Sequence, residues 1–505
     1  MCWKRSAPRA RAVRDDRLAG RRALRDGRGC RAPAGRVLRG LPTSMTDSVA
    51  GTFGATYDAS GNVEGETLPG GYTLSTVSDE TGFTTSRFYT RDTDGIALLS
   101  DAAVPTVHGQ ASSSTRSAGA GYSQDFRYDR TGRLTDVDES GTYGSQHRAY
   151  SFDANSNRTR LVSARDQDGT PVSTTTDYTY DTADSLTGTG ITYDAFGRTL
   201  TKPGTTFGYY ANDLVRRQTC GDRRKTWSLD AQGRLASSTA ETLDGQGAVT
   251  ASVSSVNHYR NGTDSPSWTV EDVAANLRSR NVTSLSGNLA AVTGTSGGTV
   301  LQLTDLHGDA GVALPLDPAQ PLAVADTDEY RNVREGTASA RYNWPTAHMR
   351  ESDTPSGAIL MGVRQYDPSI GRFLSVDPVY GGNANPYEYC SGDSNNCTDL
   401  GGDCSSSKLC CTFSVDNPHP SHTVKGRINV HADVALVRLG KDGLRLQGRR
   451  GRVQSPRGGQ LGAAWHLLLL QGRGRFHGLD RPGRVREQGL RYGHKPPKTL
   501  PQRVG

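Results

Sequence analysis

One phrase recurs along the middle of this chain and limits what the chain can become. An aromatic or apolar residue is followed by Asp, two or three small or polar residues, Gly or Asn, and often Arg and an apolar residue. The copies run Tyr57-Asp58-Ala59-Ser60-Gly61-Asn62-Val63, Tyr128-Asp129-Arg130-Thr131-Gly132-Arg133-Leu134, Phe152-Asp153 with Asn157-Arg158, and Tyr180-Asp181 with Leu186. Two more follow at Tyr193-Asp194-Ala195-Phe196-Gly197-Arg198-Thr199-Leu200 and Leu229-Asp230-Ala231-Gln232-Gly233-Arg234-Leu235. Each copy has the chemistry of a hairpin. The aromatic ends a strand, Asp accepts a hydrogen bond from the backbone two residues on, and Gly or Asn takes the positive-φ position. Arg and the next apolar residue open the returning strand. From Asp129 the steps between the Asp residues are 24, 28, 13 and 36, so loop lengths vary while the unit persists. Flanking runs such as Thr174–Tyr180 are rich in Thr and Tyr, as strands are. One hairpin cannot bury its own face, but stacked neighbours make a continuous sheet. The expectation is an all-β chain of stacked hairpins over 50–400 with helix scarce.

A second stretch, Arg364-Gln365-Tyr366-Asp367-Pro368-Ser369-Ile370-Gly371-Arg372-Phe373-Leu374-Ser375-Val376-Asp377-Pro378, reads as another hairpin. Ile359, Leu360, Met361 and Val363 lead an apolar run into Tyr366, and Asp367-Pro368 with Gly371 supplies the turn. Phe373–Val376 returns, and Asp377-Pro378 stops the strand. Asp367 and Asp377 stand on opposite arms, so the fold can bring them together. Two carboxylates sharing a cavity push their pKa values apart, and that pairing allows acid/base attack of water on a peptide bond. The rival reading makes both Asp-Pro steps turn initiators paired with Arg364 and Arg372. Residues 250–345 carry strand ends at His258-Tyr259-Arg260, Tyr330-Arg331-Asn332-Val333 and Tyr342-Asn343-Trp344-Pro345 without the Asp-Gly phrase. They read as degenerate units leading to the second stretch.

Charge divides the chain. Residues 1–44 hold 13 basic against 3 acidic side chains and 421–505 hold 18 against 4, leaving 28 against 45 for 45–420. Both ends are rich in Arg, Gly, Pro and Ala with little periodicity. Three readings fit them: basic arms for nucleic acid, plain disorder, and GC-rich coding sequence translated out of frame. Aromatic residues for stacking on bases are almost absent from both ends, and no specific nucleic-acid partner is expected. Charges interrupt every apolar core within 1–44, so no signal peptide is readable there. Leu467–Leu470 is far short of a membrane span.

The eight cysteines fall at 2, 30, 220, 390, 397, 404, 410 and 411. Cys390 and Cys397 can pair across a short loop in an oxidising compartment. Cys404, Cys410 and Cys411 with His419 and His422 have no established zinc spacing, and neither metal nor cofactor is expected.

The 364–378 stretch, continuing through Val379-Tyr380-Gly381-Gly382-Asn383-Ala384-Asn385-Pro386-Tyr387-Glu388-Tyr389, resembles nearly letter for letter the core signature of the Rhs (YD-repeat) family. With the repeated phrase, the resemblance covers roughly residues 50–402. It implies a large hollow β-shell of spiralling hairpins, closed at one end by the core. Rhs proteins and Tc-toxin C subunits enclose a C-terminal toxin this way, and teneurins use a similar shell for adhesion. The implied division is a basic segment over 1–44, shell over 45–345, core over 346–402 and a variable payload region over 403–505. The family shell is much larger than the stretch here, which therefore supplies part of a wall and reads as a fragment of a longer product. The implied function is a structural shell segment that encapsulates or presents an effector, from a secreted or cell-surface polymorphic-toxin protein. Its rivals are an aspartyl self-cleaving core, a glycan-binding or adhesive surface, and a non-functional remnant. The implied partners are the enclosed effector, an immunity protein and a cell-surface glycan. Self-cleavage would use Asp377 and Asp367 as acid and base with Arg364 and Arg372 tuning them. The cut would fall at Leu400, Gly401, Gly402 and Asp403. The family's Asp-Pro-x-Gly-Leu segment is altered here to Cys397-Thr398-Asp399-Leu400-Gly401-Gly402-Asp403, which keeps Asp and Gly but has Leu400 for Pro.

Overall fold

The computed structural model describes residues 40–403, apart from 119–120, 143, 168–169, 261, 335–340, 343–345, 380–382 and 384, with backbone strands at Val37–Leu38 and between 410 and 487. The basic ends, with Cys2, Cys30, Cys404, Cys410, Cys411, His419 and His422, lie outside the described side chains.

The repeated turn fixes the architecture. At Asp129 the backbone N–H donates to the Arg133 carbonyl (2.9 Å) and Gly132 N–H donates to the Asp129 carbonyl (3.0 Å). Asp129 Oδ1 accepts from the N–H groups of Thr131 and Arg133 at 2.8 and 3.1 Å. The same pattern recurs at Asp58, Asp194 and Asp230. At Asp153 and Asp181 the positive-φ position is taken by Ser156 (φ 65°) and Asp184 (φ 61°). The strand register shifts at the aromatic before the Asp, between Arg127 and Tyr128 for example, which is a β-bulge and adds twist.

Two contacts the sequence did not disclose tie successive units together. Three aromatic hydroxyls donate to the first residue of the strand leaving the preceding turn: Tyr128 to Ala111 O (2.8 Å), Tyr180 to Arg158 O (2.8 Å) and Tyr193 to Leu186 O (3.1 Å). The Arg of the phrase pairs with its own Asp and reaches forward to the next turn. Arg133 Nε is 2.6 Å from Asp129 Oδ2, while its Nη1 donates to Asp153 O (2.9 Å). Arg198 repeats this with Asp194 (2.7 Å) and Tyr210 O (2.9 Å). Both guanidinium groups lie against the next aromatic, Phe152 and Tyr209, with centroids 4.9 and 5.2 Å away.

Stacked in this way, the hairpins make two long antiparallel sheets in strict chain order. The first has 12 strands, from Ser44–Asp47 to Thr170–Asp177, and the second has 13, from Thr192–Tyr193 to Ala323–Val324. A short pair, Thr179–Tyr180 with Leu186–Thr187, joins them. Among the described residues helix is confined to 3-10 turns at Thr346–His348 and Cys390–Gly392, and no helix is long and apolar enough to cross a membrane. The second sheet runs unbroken through 268–315, where the sequence pattern was weak. The turns at Asp305, with Gly308, and Ser284, with Gly287, are the same device without an aromatic before them.

The sheets meet over one apolar cluster in which Phe53, Leu74 and Leu99 pack with Ala291, Leu301, Leu303 and Val312. Beside it, Arg116 of the first sheet is buried against Asp305 (2.9 Å) and Asp326 (3.2 Å). The described residues of 346–403 lie across both sheets as a separate layer. Its small sheet pairs Ile359–Met361 with Arg364–Asp367 and that strand with Arg372–Phe373. Its apolar centre is Ile359, Met361, Tyr366, Phe373, Tyr389 and the bridged Cys390 and Cys397, whose Cα atoms are 5.8 Å apart.

Candidate functional site

The tight turn at Gly362-Val363 aligns Met361 with Arg364 and turns the Arg364 side chain into the layer. Arg364 is buried, and its guanidinium carbon lies 3.6 Å from the centroid of the Phe373 ring. Its Nη2 is 3.1 Å from Asp377 Oδ2 and 3.2 Å from Asp399 Oδ2. Nη1 donates to Pro386 O (3.0 Å), and Nε donates to Gly402 O. One buried cation thus gathers two carboxylates and two backbone carbonyls.

Each carboxylate is held from its far side. Asp377 Oδ1 accepts from Val379 N–H (2.8 Å) and Oδ2 from Asn383 Nδ2 (3.2 Å). Asp399 N–H donates to the Tyr389 hydroxyl (3.1 Å), and Asp399 Oδ1 accepts from the Asp403 N–H (3.1 Å). Val363 N–H donates to Gly401 O (2.9 Å), so 401–402 lies as an extra rung on the Gly362 turn. Only glycine fits this rung. A Cβ on Gly402 (φ +67°) would come 2.3 Å from Met361 O, and one on Gly362 (φ +55°) would come 2.3 Å from Gly401 O. Burial lowers the Arg364 pKa below its ordinary value despite the carboxylates around it. Burial, together with the neighbouring Asp377 charge, raises that of Asp403.

Of the four residues expected to act together, this cluster contains two, Arg364 and Asp377. Asp367 is elsewhere. It pairs with Lys202 of the second sheet, and its Oδ1 accepts from Ser369 N–H and Oγ (3.1 and 2.7 Å), closing the 367–371 turn. Arg372 lies between the rings of Tyr180 and Tyr387, each centroid 4.8 Å away, and donates to Asp184 O (2.6 Å). The alternation of a short hairpin explains the separation, because Arg364 and Asp367 point to opposite faces of one strand. The carboxylate opposite Asp377 is Asp399, which the sequence presented as part of the altered segment rather than as an acid. Leu400, Gly401, Gly402 and Asp403 lie beside this cluster. Among the described residues no group of three or more His, Cys, Asp or Glu is arranged to hold a metal ion.

The chain is thus defined as an all-β stack of bulged hairpins with a core layer laid across it. No protein-family model matches it, and no curated protein matches its sequence. Solved structures do share its fold. A TcdB2–TccC3 complex superposes with a TM-score of 0.59 at 17% identity over 72% of this chain and 20% of that one. The TcdB2–TccC3–Cdc42 structure gives 0.58 at 17% identity over 72% and 20%. The Photorhabdus luminescens Tc holotoxin pore gives 0.53 at 16% over 69% and 19%. The chain therefore spans about a fifth of the length of the structures it resembles.

Proposed function

We propose that this chain is a wall segment of a β-shell whose core layer closes the wall and delivers the chain beyond 403 as a separate, enclosed effector. The observation that carries the reading is the grip of Arg364 on Asp377, Asp399 and the Gly402 carbonyl at the boundary between core and variable region. Shell encapsulation is consistent with the fold shared with TccC3-containing structures and with export to the cell surface or medium.

The same geometry favours self-cleavage of the Gly402–Asp403 bond. Arg364 Nε donates to the acyl oxygen of that bond, where negative charge develops on attack. Asp399 Oδ1 faces the leaving nitrogen, where a carboxyl passes a proton as the C–N bond breaks. Asp377, held across the same guanidinium, takes the proton from the attacking water. One water is consumed, and the products are a Gly402 carboxylate and an Asp403 amine. The test is the intact mass of the full chain beside Asp377→Asn and Asp399→Asn. A fragment ending at Gly402 in the wild type and missing from both variants is expected. No fragment in the wild type, or an undiminished one in Asp399→Asn, refutes cleavage and leaves the shell reading to stand on the fold.

A further inference from the structure

The loop closed by Cys390 and Cys397 carries features that a loop of this length does not adopt unaided. Cys390 and Ser391 take left-handed φ values of 52° and 55°, followed by Gly392 at 77°. Such values are rare for side-chain-bearing residues in succession. The Ser391 and Ser394 hydroxyls are buried without a hydrogen-bond partner, which is unfavourable. Something must hold this conformation, and the bridge spans it.

What the loop holds in turn is broad. Asp393 Oδ2 accepts from Gln110 Nε2 (2.8 Å) and Asn396 Oδ1 from Ala111 N–H (2.7 Å), both of the first sheet. His307 of the second sheet places Nε2 3.1 Å from Cys397 O. The residues flanking the bridge close the circuit, because the hydroxyl of Tyr389, next to Cys390, receives the N–H of Asp399, two residues beyond Cys397. The position of Asp399 at Arg364 therefore depends on the bridged loop.

We propose that the Cys390–Cys397 bridge is a redox latch on the core. The chain folds with two thiols and a loosened loop; exchange with a disulfide oxidant, which accepts the two electrons and two protons and leaves as two thiols, then closes the bridge and seats Asp399 and the 400–403 rung on Arg364. In the reverse direction, a dithiol reductant gives two electrons and two protons to the bridge, leaving two cysteine thiols and becoming a disulfide itself. The site in question is the one just described, but seating of the segment is separable from cleavage of the bond.

The experiment is hydrogen exchange on the full chain in three forms: oxidised, treated with dithiothreitol, and Cys390→Ser/Cys397→Ser. Peptides covering 398–403 exchange at least tenfold faster in the second and third forms, while those covering Leu134–Gly141 keep their protection. Equal exchange at 398–403 in all forms overturns the latch. So does a parallel loss of protection in Leu134–Gly141, which would make the bridge a general staple. Mass spectra of the same samples report cleavage independently, and absence of a fragment ending at Gly402 sinks self-cleavage without moving the exchange result.

Discussion

Replacing Arg116 by Met tests how the two sheets are held together. Arg116 stands on the strand Ala111–Ser117 and is almost wholly buried. Its Nη1 meets Asp305 and Asp326, and its Nη2 donates to Ala310 O (3.0 Å). Met keeps most of the volume and removes the charge, stranding carboxylates that water cannot reach. Breaking one side of such a buried pair costs about 3–5 kcal/mol. That cost depends on pH in a predictable direction. In the wild type the Asp101 carboxyl, whose Oδ2 accepts from Leu306 N–H (2.8 Å), is pushed up to about 7 by burial and by the charge of Asp305. Asp305 is itself raised by burial and by Asp309. A folded pKa above the unfolded value of about 3.9 means that stability is full below pH 4 and falls as pH rises towards 7. Removing Arg116 takes away a cation that holds both carboxyls down, so proton uptake by the folded state moves to still higher pH. The variant should lose about 3–5 kcal/mol at pH 7.5 and less at pH 5, where Asp101 is protonated and the buried cluster carries less negative charge. Urea unfolding followed by circular dichroism at both pH values measures the difference. A loss below about 1 kcal/mol at pH 7.5, or an equal loss at both, would refute the account of the interface.

Three smaller tests bear on other levels of the structure. Leu99→Ala empties a fully buried position between the sheets and should lower stability by about 2–5 kcal/mol in the same urea assay. Asp194→Ala removes acceptors for Phe196 N–H, Arg198 N–H and Arg198 Nε. It should cost about 1–2 kcal/mol, with Asp194→Asn nearer 0.5 because the turn contacts survive while the ion pair does not. Gly362→Ala drives a Cβ onto Gly401 O, so the 399–403 segment should become the first point of limited proteolysis, while the strands of both sheets stay resistant.

The hairpins were legible because a turn is a local object. Asp accepts from its own neighbours, Gly supplies positive φ, and both leave a mark on adjacent letters at Asp129, Asp194 and Asp230. Where the positive-φ residue is Ser156 or Arg331 (φ 74°), or where Thr304 stands in place of an aromatic, the mark fades though the turn is the same. The straps between units were not legible. Nothing in Arg133 or Tyr128 announces a partner in the next or the previous repeat. The site was half legible for the same reason. Arg364 and Asp377 belong to one hairpin, but Asp399 reaches them through a bridged loop that no periodicity describes.

The length of the 364–389 signature has a physical explanation in what each of its polar groups touches. Asp367 takes Lys202, and Arg372 takes the carbonyl of Asp184 in the turn that begins at Asp181. Asn385 takes Asn155 O and Asn157 Oδ1 in the turn that begins at Asp153 (3.0 and 3.2 Å). The Tyr387 hydroxyl takes Gly197 O in the turn that begins at Asp194 (2.7 Å), and Leu374 O accepts from Thr199 N–H beside it (2.8 Å). Three consecutive repeat turns are therefore satisfied by three separate points of the signature. These contacts are buried or partly buried, and a polar group left without its partner there costs more than the bond it made. A change at any one point leaves a turn of the wall unsatisfied, so the signature and the repeat constrain each other. The core layer is in this sense the complement of the hairpin turns, while the polar cluster at Arg364 is one it keeps for itself.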